Sequence, residues 1–261
     1  DSVIDLDSAP CEFEKGVEIP AMSDIRASLR AGQRRLWATR SAAILVIFQG
    51  LDASGKDGCI RELVWCMDPM GLSVAGFGVP TPEERRHDFL WRVQRHLPAL
   101  GQVGIFNRSY YEAVMIERVL SGPGGQHDSL WNDRFGSIRQ FEENLCRNGT
   151  VILKFWLQAS RKEQGKRIRA RLTDPERQWK FDPADIEAWS NRDHYLWTAT
   201  QALRETHSAE APWHAVPADD KALCRRAICA RVDQVIQEVA GEFMAPDKAV
   251  LKQYLDQLES L

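Results

Sequence analysis

Residues 43–48, Ala-Ile-Leu-Val-Ile-Phe, form a short apolar run that passes through Gln49 into the turn Gly50-Leu51-Asp52-Ala53-Ser54-Gly55-Lys56. The run suits one buried parallel strand. Gly50, Gly55 and Lys56 have the G-x-x-x-x-G-K spacing, in which glycines let several backbone N–H groups point at one anion. Lys56 adds a full positive charge, and the helix that follows adds the positive end of its dipole. Ala53, Ser54 and Asp57 fall in the same cradle. The turn is built to hold a chain of phosphates. Asp57 stands where a magnesium-touching Ser or Thr is usual, so metal binding must be arranged differently. Asp52 is an anion inside the loop, which makes sense if it faces a metal ion or a proton to be removed. Without its context, the same turn would be a tight strand-to-helix connection with a surface lysine.

Alternating elements extend this reading. Strands are expected near 43–48, 72–77, 101–106 and 151–157, with Ala215-Val216 in a fifth. Helices are expected over 22–40 with Ser23 as its cap, 56–67, 82–97, 109–120 capped by Ser109, 132–147, 183–206, 219–240 and 247–260. Such alternation implies a parallel sheet covered on both faces. Ligands then gather at the carboxyl ends of the strands, and three of those ends carry polar groups. Asp52 and Lys56 follow the first strand. Asn107 and Arg108 follow the third, with Glu112 one helical turn on. A basic segment follows the fourth. Residues 161–180 hold eight Lys or Arg and three Asp or Glu, a local +5; the other residues hold 26 and 34, or −8, within a net charge of −3. Lys166, Arg167, Arg171 and Lys180 of that segment are candidates to fold over phosphates as a lid that excludes water. A solvated charged helix is the plain alternative, as is a surface pair for Arg108 and Glu112.

Composition closes other classes. With 44% hydrophobic residues the chain can bury a core. No apolar run approaches the roughly 18 residues of a membrane span, the first residues lack signal-peptide character, and a cytoplasmic location is expected. Asp1 rather than Met leaves room for residues upstream. The six cysteines show no C-x-x-C pairing and are expected as free, mostly buried thiols. The net charge gives no general pull toward nucleic acid. Most of the nine tryptophans are expected in the core, with Trp179 in the basic segment as the exception.

Several stretches taken in order resemble the polyphosphate kinase 2 family. They are Gly50 to Gly58, Pro80-Thr-Pro-Glu-Glu, His87-Asp-Phe-Leu-Trp-Arg92, Ile105-Phe-Asn-Arg-Ser-Tyr-Tyr-Glu112, Leu153-Lys-Phe-Trp, Asp174-Pro-Glu-Arg-Gln-Trp-Lys-Phe181 and Ala211-Pro-Trp213. The resemblance runs from about residue 20 to 240. It implies an α/β, three-layer P-loop fold of thymidylate-kinase type, with a central parallel sheet of about five strands and a helical lid near 160–182. An N-terminal extension and helix would occupy 1–40, the kinase-like domain 41–240 and a C-terminal helix 241–261. It also implies reversible phosphoryl transfer between inorganic polyphosphate and adenine nucleotides, with guanine a further candidate base, using Mg2+ or Mn2+, in a homodimer or homotetramer. By position Asp52, Lys56 and Arg108 would be catalytic, with Asp52 touching the metal. Asn107, Arg108, Glu112 and Arg118 would contact nucleotide. Asn107 resembles members that act on both AMP and ADP. Gly78 stands where relatives often carry Lys, and Tyr110 where His is common. An ATP-dependent small-molecule kinase and a non-catalytic nucleotide-binding module are the rival classes.

Overall fold

In a computed structural model, residues 5–122 and 128–260 are described. The chain runs α1 (Met22–Thr39), β1 (Ala43–Gln49), α2 (Lys56–Trp65), β2 (Leu72–Gly76), α3 (Trp91–Gln94), β3 (Val103–Asn107), α4 (Glu112–Leu120), α5 (Asp128–Arg147), β4 (Thr150–Gln158), α6 (Arg161–Thr173), α7 (Pro183–Ser190), α8 (Arg192–Thr206), β5 (Trp213–Pro217), α9 (Lys221–Val239) and α10 (Lys248–Glu259). The sheet has five strands, ordered β2-β3-β1-β4-β5, and every pairing is parallel.

From β1 the chain runs to the edge strand β2, returns to β3 beside β1, then crosses to β4 on the other side. This reversal opens a crevice at the carboxyl end of β1. All seven β1 residues are buried, and alternate side chains serve different layers. Ile44, Val46 and Phe48 join Leu29, Leu36, Ile60, Leu63, Ile228 and Val232 on the face covered by α1, α2 and α9. Leu45 and Ile47 join Val114, Phe135, Ile138, Leu196 and Leu203 on the face covered by α4, α5 and α8. The result is three layers around one sheet.

Some expected elements change. The single helix over 82–97 is instead a short turn at Glu84–Arg86 followed by the one-turn α3. Asp88 Oδ1 accepts from Leu90 N at 2.9 Å and Thr81 Oγ1 from Glu84 N at 3.2 Å. Such local side-chain bonds compete with the helical ladder. The helix over 183–206 breaks at Asn191 into α7 and α8. α7 starts at Pro183 behind an Asp182–Asp185 capping box, a strong local start signal. Ser23 does not cap α1: the N-cap is Ala21, without a side-chain bond, and Ser23 Oγ donates to Asp24. Ser109 sits one turn early, because α4 begins at Glu112; its hydroxyl accepts from Tyr111 N at 3.2 Å. The glycine-rich stretch expected as a loop at 121–128 lies partly outside the described residues. Trp131, Trp156 and Trp213 are in the core, but Trp37, Trp65 and Trp197 are exposed along with Trp179. All six cysteines are free.

Candidate active site

β1 delivers the turn to the crevice. At Gly50, φ is +149° and an added Cβ would lie 3.0 Å from the Leu157 carbonyl of β4 and 2.8 Å from Ser54 Oγ. The turn can therefore press against the neighbouring strand only with glycine there. Ala53 holds φ +62° and Gly55 +111°. Left-handed residues alternating with right-handed ones curl successive N–H groups to one side, the arrangement that makes an anion nest. The Ser54 hydroxyl is buried and has no hydrogen-bond partner among the described residues.

Lys56 opens α2 and is buried. Its ammonium folds back over the turn, donating to the Gly50 carbonyl at 2.6 Å and the Leu51 carbonyl at 3.1 Å. Burial is the main force on its pKa and Arg108 adds to it; Asp52, Glu112 and Asp57 oppose both, and the result falls to about 8.

Register decides what stands beside Lys56. Phe48 of β1 pairs with Asn107 at the end of β3. Arg108 N donates to the Phe48 carbonyl at 3.0 Å, and Arg108 takes φ +63°. That turn aims its guanidinium into the crevice. Arg108 Nη2 donates to Asp52 Oδ1 at 2.6 Å and Nη1 to Glu112 Oε2 at 3.1 Å. Burial pushes the Asp52 carboxyl up, but Lys56, Arg108 and Arg171 outweigh it and hold it below the usual carboxylate range. Burial dominates at Glu112, whose pKa is raised despite Arg108 and Lys56. A third group forms around Asp57. Asn107 Nδ2 donates to its Oδ1 at 3.1 Å and Lys180 Nζ to its Oδ2 at 2.7 Å. The carboxylate that replaces the usual hydroxyl thus ties the basic segment to the first turn of α2.

The basic segment does two different jobs. Arg167 of α6 is buried under the turn. Nη1 donates to the Ala53 carbonyl at 3.2 Å and the Ser54 carbonyl at 2.6 Å, Nη2 to those of Ala218 at 2.6 Å and Asp219 at 3.3 Å, and Nε to Glu163 at 2.9 Å. The expectation that Arg167 faces phosphate is corrected here: its donors already serve backbone carbonyls, and it braces the turn from below. Gln164 adds a second brace, donating to the Asp52 carbonyl at 3.1 Å, and is itself held by Arg192 Nε at 3.1 Å. Arg171 pairs with Asp185 at 2.7 Å yet still acts on Asp52. Lys166 is exposed and pairs only loosely with Glu163 at 3.4 Å. Arg118 stands away from this cluster, over the rings of Trp131 and Trp197, with Asp128 at 3.7 Å.

Sequence reading missed several residues. Gln49, Trp156 and Tyr195 line the concavity with Asp52, Arg108 and Glu112, and Gln49 Nε2 donates to Ser109 Oγ at 3.2 Å. Gln164 and Arg192 carry no motif that marks a loop brace. Lys154 did carry a signal, as a lone charge within an apolar strand. It is fully buried and donates to Glu142 Oε2 at 2.7 Å, to Tyr111 Oη at 3.0 Å and to the Thr206 carbonyl at 2.8 Å. Tyr110 donates to Glu142 Oε1 at 2.7 Å, as does Tyr111.

A strand-end anion cradle, a buried lysine and a paired arginine bring together the charges that a phosphoryl group calls for. The polyphosphate kinase 2 family pattern matches residues 14–243. The chain belongs to this family. It is an enzyme of that type, a phosphotransferase. It is 40% identical over 238 residues to the ADP-polyphosphate phosphotransferase of Rhodopseudomonas palustris, covering 88% of this chain and 82% of that one. It is 36% identical over 243 residues to the AMP/ADP-polyphosphate phosphotransferase of Meiothermus ruber, covering 93% and 90%. The crystal structure of polyphosphate kinase 2 from Arthrobacter aurescens TC1 superimposes with a TM-score of 0.91 at 32% identity, covering 98% of this chain and 94% of that one. The resemblance noted in the motifs therefore extends through the whole architecture. No helix among the described residues is long and apolar enough to cross a membrane.

Proposed function

We propose that this family member moves the terminal phosphoryl group of inorganic polyphosphate onto ADP and AMP, reversibly, at the crevice beyond β1. The observation that carries the reading is the convergence of Lys56, Arg108 and the anion nest on one strand end, with Lys180 tied to the same turn. The bond formed joins an acceptor phosphate oxygen to the terminal phosphorus. The bond broken joins that phosphorus to the next bridging oxygen, leaving polyphosphate one unit shorter. Phosphoryl transfer of this kind needs mainly positioning and charge stabilisation. The nest and Lys56 hold the donor phosphates. Arg108 leaves Asp52 and Glu112 to fork onto the moving group. Asp52, released from Arg108, orients the acceptor phosphate and is placed to accept its proton. Lys56 and Arg171 still favour its ionised form once Arg108 has left.

The donor set fits a divalent cation held mostly by substrate. Among the described residues no group of three or more acidic, His or Cys side chains forms a ready cage, and Asp52 meets Arg108 through Oδ1. Magnesium is normally bound through one or two carboxylates plus phosphates and water, so Asp52 would be its protein ligand. When bound it would supply neutralising charge between the phosphates, with manganese as substitute. Arg118, Lys166 and Arg171 are retained as outer contacts to nucleotide or polyphosphate, and adenine is the preferred base. The lid spans about 160–182, and a cytoplasmic homodimer or homotetramer is the working form.

A donor–acceptor matrix tests the reading. Polyphosphate or ATP is offered to AMP, ADP or GDP, with products separated by chromatography. ATP formation from polyphosphate and ADP is expected. Turnover with ATP as the sole effective donor would select the small-molecule kinase instead. Nucleotide binding without turnover from any donor would select the non-catalytic module.

A further inference from the structure

Four of the six cysteines, Cys59, Cys66, Cys224 and Cys229, gather in the core between α2 and α9. All four are buried, and none has a part in the transfer step. Cys59 lies three residues beyond Lys56 on α2, and Cys224 stands in the first turn of α9. Their Sγ atoms are 3.8 Å apart, across 165 residues of sequence. A disulfide needs about 2.05 Å, so a short closure would join them. Cys66 and Cys229 are neighbours too, but the Cys66 thiol donates to Met22 Sδ of α1 at 3.9 Å.

The two thiols of the close pair are not equivalent. The hydrogen bond with Cys224, then the charges of Arg225 and Arg167, outweigh burial and draw the Cys59 thiol down. The same bond, with burial, pushes Cys224 up. Cys59 is therefore the nucleophile and Cys224 the resolving thiol.

A bond between them would act on the phosphate turn. An added Cβ at Gly58 would meet Arg225 Nη2 at 2.8 Å, so α2 and α9 touch beside Cys59 with little slack. Arg167 spans the same gap, serving the Ala53 and Ser54 carbonyls of the turn and the Ala218 and Asp219 carbonyls ahead of α9. Drawing Cys59 toward Cys224 shifts the first turn of α2, and Lys56 with it, against a turn that Arg167 holds in place.

We propose that Cys59 and Cys224 are an oxidation site, at which hydrogen peroxide forms a reversible disulfide that clamps α2 to α9 and slows phosphoryl transfer. The Cys59 thiolate attacks one peroxide oxygen. The O–O bond breaks, hydroxide leaves and takes up a proton, and Cys59 becomes a sulfenic acid. The Cys224 sulfur then attacks the Cys59 sulfur, and its proton leaves with the sulfenic hydroxyl as water. Two thiols and one peroxide give one disulfide and two waters, with two electrons passing from sulfur to oxygen. Excess dithiol reverses the bond by exchange. Because both sulfurs are buried, the oxidant enters as the helices open locally, and the reaction is slower than that of an exposed thiol.

The test treats the chain with hydrogen peroxide for about an hour, alkylates the remaining thiols and maps the tryptic peptides by mass spectrometry, beside the transfer rate. A Cys59–Cys224 peptide pair is expected. Transfer should fall about ten- to hundredfold, the scale of a displacement near 1 Å, with circular dichroism unchanged. Dithiothreitol should reverse both effects. Cys59→Ala should keep the untreated rate and resist peroxide; should that variant fail to fold, the wild-type map and its reversal decide. The rate measurement rests on the proposed transfer reaction, whereas the mapped link does not, so the two readings can fail separately. No link, a link confined to other cysteines, a link without loss of rate, an equal loss in Cys59→Ala, or a loss that follows unfolding would overturn the proposal.

Discussion

Asp52 shows how much one side chain depends on its neighbours. Burial would keep it protonated, yet three cations hold it ionised. Asp52→Asn keeps the shape and removes the negative charge. Turnover should fall about 10²-fold or more, the scale of lost acid–base or orienting roles, while polyphosphate binding holds. Steady-state kinetics check this, and near-normal kcat would refute the role. Lys56 makes a pH prediction. Its pKa of about 8 in the free enzyme means that it loses its charge as pH rises through that value. KM for polyphosphate should therefore climb above about pH 8, an effect that Lys56→Arg, whose cation does not titrate, would lack. For stability the sign is opposite. The folded chain holds this proton more weakly than the unfolded one, so a cost is present below about pH 8 and is relieved as pH rises further.

Elements succeed here because buried polar residues couple them. Lys154 on β4 and Glu142 on α5 form an ion pair at 2.7 Å with side chains 0% and 3% exposed. Tyr110, Tyr111 and the Thr206 carbonyl complete the network between α4, α5 and α8. Lys154→Met leaves Glu142 buried without its partner, which should cost about 3–5 kcal/mol. Adding Glu142→Gln should recover part of that loss. Chemical denaturation of the two variants checks both. Arg167 couples α6 and the end of β5 to the phosphate turn through four carbonyls. Lysine cannot copy that fork. Arg167→Lys should lower both the melting temperature and kcat/KM for polyphosphate, whereas a residue touching only ligand would leave melting unchanged. Which residues brace and which bind could not be read from the local +5 of residues 161–180. Six of the eight cations there pair with carboxylates of the same chain; Lys166, Arg167 and Arg177 do so within one turn, while only packing reveals the partners of Arg161, Arg171 and Lys180.

At the scale of the molecule the net charge is −3, yet the site gathers cations. Field at the crevice, rather than total charge, governs the encounter with a polyanion. Raising NaCl from about 50 to about 200 mM should raise KM for polyphosphate several-fold, and KM for ADP much less because it carries fewer charges. Equal salt dependence for both would argue that polyphosphate does not follow the basic segment. Parallel pairing makes this concentration of charge workable. It brings the ends of β1, β3 and β4 together, and the buried strands behind them limit the water that would compete for the phosphoryl group.

The linear sequence determined the alternation of elements, the phosphate turn and the motifs of the family, because periodicity, glycine placement and spacing are local properties. It also carried the five-strand sheet, including the short β5. Local side-chain bonds and long-range partners together decided the rest. The helix expected over 82–97 yielded to side-chain turns at Thr81 and Asp88, and that over 183–206 broke at Asn191. Arg167 was placed under the turn rather than before the phosphates, and Lys180 was given to Asp57. A guanidinium or an ammonium finds its carbonyl or carboxylate only when distant segments pack, and no one-dimensional pattern records that distance.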